Sequence, residues 1–292
     1  MKLLVLLLLP CLSLSELVTV PGFGNCNQYF LGNEPPRFTP LVPGTAPLWF
    51  YSAQRICQCL WDNNNNRPNY FYATLYNTDW KIPIYSAYKF KRSISVGRCD
   101  PWYIEPQLDG YNNMPCMAPE SNIQNIGNNQ AKNDDYVGSM DHGIGYHKGH
   151  LYPVHHTDNH LSMLATSTLT NAAPQDKGFN MGKWKKHEAD VITDLSDCDS
   201  NVEAYVVTGV VPDPNIKLKG RVTVSRYYWR ATCCLKQNGV YTGKGYFGPV
   251  GNNKIVETKS ITDLQTQLTA EYGVNIVIFP SLPPGYPPGG CI

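Results

Sequence analysis

The chain has 292 residues, with 24 Lys and Arg against 23 Asp and Glu, for a formal net charge of +1. Proteins that coat nucleic acid are strongly basic, because phosphate neutralisation supplies most non-specific affinity. Near-neutrality excludes a packaging role and leaves room for an enzyme, which must release its product.

The N-terminus, Met1-Lys2 followed by LLVLLLLPCLSL, has a basic start, an apolar run, and Ser13 and Ser15 at the −3 and −1 positions of a cleavage site. That is the pattern of a secretory signal, cleaved near Ser15/Glu16. The run is shorter than the roughly 20 residues needed to span a bilayer, and no later segment is apolar enough, so stable membrane association is not expected. The expectation is a leader over residues 1–15 and a single domain over 16–292, secreted or held in the lumen of the secretory pathway. Ten cysteines, less Cys11 in the leader, should mostly pair in that oxidising compartment and leave an odd one. Cys57 with Cys59, and Cys233 with Cys234, are too close to bond to each other. No CxxC pair supports a zinc site.

In chain order, Trp49 to Leu60 is predicted as a helix, with Phe50, Ala53, Ile56 and Leu60 on one stripe. Asn63 to Asn66 reads as a turn. Tyr70 to Tyr76 and Lys81 to Tyr88 read as strands around Asn77-Thr78-Asp79. Residues 99 to 135, dense in Asn, Gln, Pro and Gly, read as a long loop tied by Cys99 and Cys116. Tyr205 to Val211 and Val222 to Leu235 read as central strands. Thr262 to Tyr272 reads as a helix, with a capping box from Thr262 and Gln265, an apolar face of Leu264, Leu268 and Tyr272, and Gly273 as its stop. Asn275 to Phe279 returns as a strand. The pattern is α+β, a single mixed domain.

The chemistry lies between Gly145 and Glu188, in GYHKGHLYPVHHTDNHLSMLATSTLTNAAPQDKGFNMGKWKKHE. All seven histidines fall in or beside this stretch. His150 has the residue type of a general base near neutral pH. Gly149 removes side-chain bulk, so that a phosphate can approach the backbone, and Lys148 supplies a cation. Asn180, Trp184 and Glu188 recur at four-residue spacing, one face of a helix. Asn180 is read either as that helix's N-cap or as a neutral oxygen ligand for Mg²⁺, which keeps several waters and takes few protein ligands. Glu188 then orients those waters, and Trp184 packs. His155, His156 and His160 read as loop or surface residues, because no HExxH accompanies them.

The succession GYHKGHLYP, TLTNAAPQ and FNMGKWKKHE resembles the DNA/RNA non-specific endonucleases, whose pattern is DRGH, then a Thr/Ser-Asn…Pro-Gln loop, then Asn-x-x-x-x-Trp-x-x-x-Glu. ICQCL…YFYATLYN…KIPIYSAY and YVVTGVV…RYYWRATCCLK resemble the secreted vertebrate branch of that family, and the resemblance covers almost the whole chain. It implies a ββα-metal nuclease motif beside a central antiparallel sheet, with His150 as general base. It further implies Asn180 as the ligand of Mg²⁺ or its substitute Mn²⁺, Glu188 on the metal's water, Asn171 and Gln175 in the supporting loop, and DNA and/or RNA as substrate. The catalytic set expected is therefore His150, Glu188, Lys148 and Asn171, with Asn180 on the metal.

Two residues depart from the pattern: His147-Lys148 stands where the family has Asp-Arg. Lysine keeps the charge but lacks the fork that grips phosphate with two bonds. The departure keeps a second reading open, a catalytically impaired nuclease fold that binds nucleic acid or a protein partner.

Overall fold

The computed structural model describes residues 22–92, 101–138, 145–251, 255–286 and 289–291. The expected leader with Cys11, together with Cys99 and His142, lies outside the described residues.

The strands are β1 (Arg37–Pro40), β2 (Ala53–Asp62), β3 (Arg67–Asn77), β4 (Ile82–Phe90), β5 (Tyr103–Ile104), β6 (Ala118–Pro119), β7 (Tyr146–His150), β8 (Ala172–Asp176), β9 (Ala204–Leu218), β10 (Val222–Leu235), β11 (Tyr241–Pro249), β12 (Glu257–Lys259) and β13 (Val274–Val277). Seven make one sheet in the order β12-β11-β10-β9-β4-β3-β2, with every neighbour antiparallel. The fold is α+β around this central antiparallel sheet.

Both faces of the sheet are covered, and β10 shows how. Side chains alternate across a strand, so Trp229, Ala231, Cys233 and Leu235 enter one core with Leu264, Leu268 and Tyr272 of the helix Ile261–Tyr272. Tyr228, Val222 and Val224 enter a second core with Ala173, Phe179 and Trp184. A strand buried on both sides needs no apolar–polar alternation, which is why β10 reads as a continuous run. The same alternation separates the adjacent cysteines. Cys233 reaches Cys291 and Cys234 reaches Cys198.

The predicted helix over Trp49 to Leu60 is instead a short 3-10 turn, Leu48–Ser52, followed by β2. Its apolar spacing is produced by burial on both faces: Ile56, Cys57, Gln58 and Cys59 are all buried. The register shifts between Gln58 and Cys59, where β3 carries one extra residue, Phe71. Cys57 bonds Cys26, and Cys59 bonds Cys116.

The C-terminal helix starts one residue earlier than expected, and Ser260 caps it, its Oγ accepting from Asp263 N at 3.0 Å. Gln265 is not in a capping box; its Oε1 accepts from Ile278 N at 2.8 Å and holds the chain after β13. Gly273 ends the helix at φ 70°, the left-handed conformation that glycine adopts without penalty. The stretch read as a long loop holds the β5–β6 ribbon and is tied at Cys116, as expected. Among the described residues no helix is long and apolar enough to cross a membrane.

Candidate active site

β7 and β8 pair antiparallel, with His147 opposite Gln175 and His150 opposite Ala172. β8 runs directly into a helical stretch made of Lys177–Phe179, a π turn Asn180–Trp184, and Lys185–Asp194. Two strands and a helix thus form a ββα unit on the face of the sheet opposite the C-terminal helix. Asp176 caps this helix, its Oδ1 accepting from Phe179 N at 2.8 Å. Asn180 is therefore not an N-cap. It lies a turn inside the helix, at the start of a π turn, a distortion often found at functional sites.

His147, Lys148 and His150 from β7 line one cavity of about 540 Å³ with Asn180 and Glu188 from the helix. Trp102 forms part of its wall, and its ring centroid lies 4.8 Å from that of His150. The Asn180 amide Nδ2 donates to His147 Nδ1 at 3.1 Å. Burial, with Lys177 nearby, holds the His147 imidazole below its ordinary range and so favours its neutral form. Lys148 Nζ donates to Asn133 Oδ1 at 2.6 Å and lies 5.0 Å from the Trp102 ring centroid and 5.7 Å from that of Tyr136. Burial pushes its pKa down to about 8.

Beneath the cavity floor, Arg230 of β10 is fully buried. Its Nε donates to Thr208 Oγ1 at 2.8 Å, its guanidinium carbon lies 5.0 Å from the Trp184 ring centroid, and its Nη2 ends 3.8 Å from Glu188 Oε1. At that distance charge attraction acts without a close hydrogen bond. Burial raises the Glu188 carboxyl to about 7 against the opposing pull of Arg230. A buried carboxyl in this range is characteristic of functional sites.

Three expectations change. Asn171 was expected among the catalytic residues, but it is fully buried. Its Oδ1 accepts from Tyr152 N at 3.0 Å, and its Nδ2 donates to Tyr152 O and Thr166 O at 3.0 and 2.8 Å. It pins the turn that follows His150. Gly149 does not open the backbone to phosphate: a Cβ there would lie 2.4 Å from Gln175 Oε1 and 2.6 Å from Tyr228 Oη, so core packing requires the glycine. His156 is not a loop or surface residue. It is buried between Tyr88 Oη, at 2.9 Å, and the Glu188 carbonyl, at 3.1 Å; His155 and His160 are exposed. The Glu188 side chain is 14% exposed.

Arg230, Trp102, Asn133 and Tyr136 were not singled out from the sequence. Arg230 did leave a signal, a cation in the middle of the apolar, aromatic run RYYWRATCCL. Nothing comparable marks the other three, which reach the cavity from a segment with no periodicity.

The donors in the cavity suit a hard cation. With Nδ2 engaged, Asn180 presents Oδ1, and the Glu188 carboxylate supplies oxygen nearby, the donor type that Mg²⁺ and Mn²⁺ prefer. Among the described residues no group of three or more His, Cys, Asp or Glu could hold a metal. Their eight cysteines are all in disulfides, which removes the zinc–cysteine alternative.

Residues 59–272 match the sequence profile of the DNA/RNA non-specific endonucleases. The chain belongs to this family. DNA/RNA non-specific endonucleases are divalent-metal nucleases, in keeping with the oxygen donors of the cavity. Among curated relatives, the chain is 31% identical over 254 residues to the human protein named endonuclease domain-containing 1 and 29% identical to its mouse counterpart; each match covers 85% of this chain and 46% of the relative. The chain thus spans about half the length of these relatives. A nuclease from a Nostoc species is 30% identical over 119 residues, 40% of this chain and 41% of that protein. Among solved structures, a chain of the EndoG/EndoGI complex is similar at 19% identity and a TM-score of 0.49, over 71% of this chain and 83% of that one.

Proposed function

We propose that the protein is a Mg²⁺-dependent endonuclease of the secretory pathway, hydrolysing phosphodiester bonds of DNA and/or RNA with little sequence preference. The reading rests on one observation above all: His150, Asn180 and Glu188, separated by up to 38 positions in sequence, line the same cavity. Four disulfides support the oxidising compartment, and the leader expected over residues 1–15 would carry the chain there.

In this reading Asn180 Oδ1 holds the cation and Glu188 accepts hydrogen bonds from its water shell. The metal, once bound, neutralises charge developing on the phosphate and on the leaving oxygen. His150 takes the proton from the attacking water. Trp102, beside the His150 ring, restricts its rotation and shields it from bulk solvent. Lys148 draws the phosphate towards the strand end from its place among Asn133, Trp102 and Tyr136.

The experiment is to incubate disulfide-bonded mature protein with plasmid DNA and with RNA, in Mg²⁺ or in EDTA. Cleavage in Mg²⁺ that EDTA abolishes is expected. Nucleic-acid binding without cleavage would favour the impaired-nuclease reading, and cleavage supported by zinc alone would overturn the assignment of the metal.

A further inference from the structure

The position at which this chain departs from its family's Asp is occupied by an imidazole in contact with the proposed metal ligand. His147 Nδ1 and Asn180 Nδ2 are 3.1 Å apart. An amide nitrogen can only donate, so Nδ1 accepts and the ring proton sits on Nε2. The contact is built into the local fold. His147 pairs with Gln175 across the β7–β8 ribbon, the helix starts two residues later at Lys177, and Asn180 falls one turn along, back against the strand end.

The bond has a consequence for the other side of the amide. An asparagine side chain without an anchor rotates by half a turn at little cost, exchanging oxygen for NH₂. An NH₂ group turned towards a divalent cation repels it. With Nδ2 committed to His147, Oδ1 lies on the opposite side of the amide carbon. We infer that His147 is a positioning residue for Asn180: its imidazole holds the amide so that Oδ1 is presented to the divalent cation. The inference rests on the reading of Asn180 as the cation's ligand. An aspartate at this position would accept the same bond while adding a negative charge. The imidazole fixes the orientation without adding that charge.

The test is cation affinity, measured without substrate. Mn²⁺ is titrated into the full disulfide-bonded chain, with the free ion counted by electron paramagnetic resonance and heats read by calorimetry. His147→Phe keeps a ring of similar size and removes the acceptor; about a 10-fold or greater weakening of Mn²⁺ binding is expected, the usual cost of losing a group that orients a metal ligand. His147→Ala, which adds no apolar bulk, should weaken binding likewise if the Phe variant fails to fold. His147→Asp, which retains an acceptor, should bind Mn²⁺ at least as tightly as wild type. In an Asn180→Ala background, His147→Phe should cost nothing further.

Unchanged Mn²⁺ affinity in both His147→Phe and His147→Ala, with Asn180→Ala weakened, overturns the inference and leaves the ligand reading standing. A further loss in the double variant also overturns it, because His147 would then touch the cation itself. Unchanged affinity in Asn180→Ala removes the ligand reading, and the inference with it. Melting temperatures of the metal-free variants separate these outcomes from a merely structural role, which would lower stability and leave affinity intact.

Discussion

Arg230 and Glu188 face each other beneath the cavity, with 3.8 Å between Nη2 and Oε1. The guanidinium is fully buried and the carboxylate nearly so, and they belong to different layers, a central strand and the helix above it. Each stabilises the charge of the other in a region that water barely reaches.

That pairing sets a pH dependence for metal binding. Burial raises the Glu188 carboxyl to about 7, and a cation's water shell is oriented best by the ionised form. Mn²⁺ affinity should therefore rise as pH rises through about 7 and level off above it. Arg230→Met removes the stabilising cation and should move this rise upward by about one pH unit or more. Calorimetric titrations across that range measure it. An unmoved rise would show that Arg230 has no hold on the ionisation of Glu188.

His150→Ala should lower the cleavage rate by about 10²–10⁴-fold, the usual contribution of a general base. Circular dichroism and melting temperature should stay close to wild type, because the ring meets the cavity wall at Trp102 and is not part of the core. Near-normal turnover by the folded variant would remove His150 from the mechanism.

Lys148 titrates unusually low, at about 8, so its charge fades as pH rises through 8. KM for plasmid DNA should increase above that pH in the wild type. Lys148→Arg, whose guanidinium stays charged, should abolish the increase and lower KM, since the fork adds a second charge-assisted bond to phosphate. Lys148→Ala should have the higher KM at every pH. Equal KM values for the wild type and the alanine variant at neutral pH would place the phosphate elsewhere.

Acid should destabilise the fold through two buried histidines. Burial, with Arg230 adding to it, holds both His156 and His187 well below their ordinary range. The folded state therefore binds fewer protons than the unfolded chain once pH falls below about 6.5, the unfolded value. Stability is full above that point and declines as pH falls, by up to about 1.4 kcal/mol per pH unit for each histidine until its own folded pKa is reached. Urea unfolding at pH 7.5, 6.5 and 5.5 measures the slope. His156→Gln should unfold with a shallower acid dependence than the wild type, and an identical slope would exclude His156 from the effect.

Four strands of the central sheet, and the residues proposed to carry the chemistry, were marked by the sequence itself. Hydrophobic runs with β-branched and aromatic residues marked β3, β4, β9 and β10, because burial on both faces leaves a local signature. His150, Asn180 and Glu188, which line one cavity, could be grouped in advance because a ββα unit is contiguous in sequence: its strand, loop and helix follow one another within 44 residues, from Gly145 to Glu188. Tertiary structure alone decided the rest. β2 was read as a helix because its two-sided burial imitates helical spacing, and only pairing with β3 distinguishes the two. Gly149 owes its place to Tyr228, which is 79 positions further along the chain, and Arg230 meets Glu188 across 42 positions. Whether Asn180 caps the helix or faces the cavity depended on where the helix begins, which Asp176 fixes through one hydrogen bond. Such contacts join segments far apart in the chain, or turn on the position of a single bond, and neither leaves a periodic trace in the sequence.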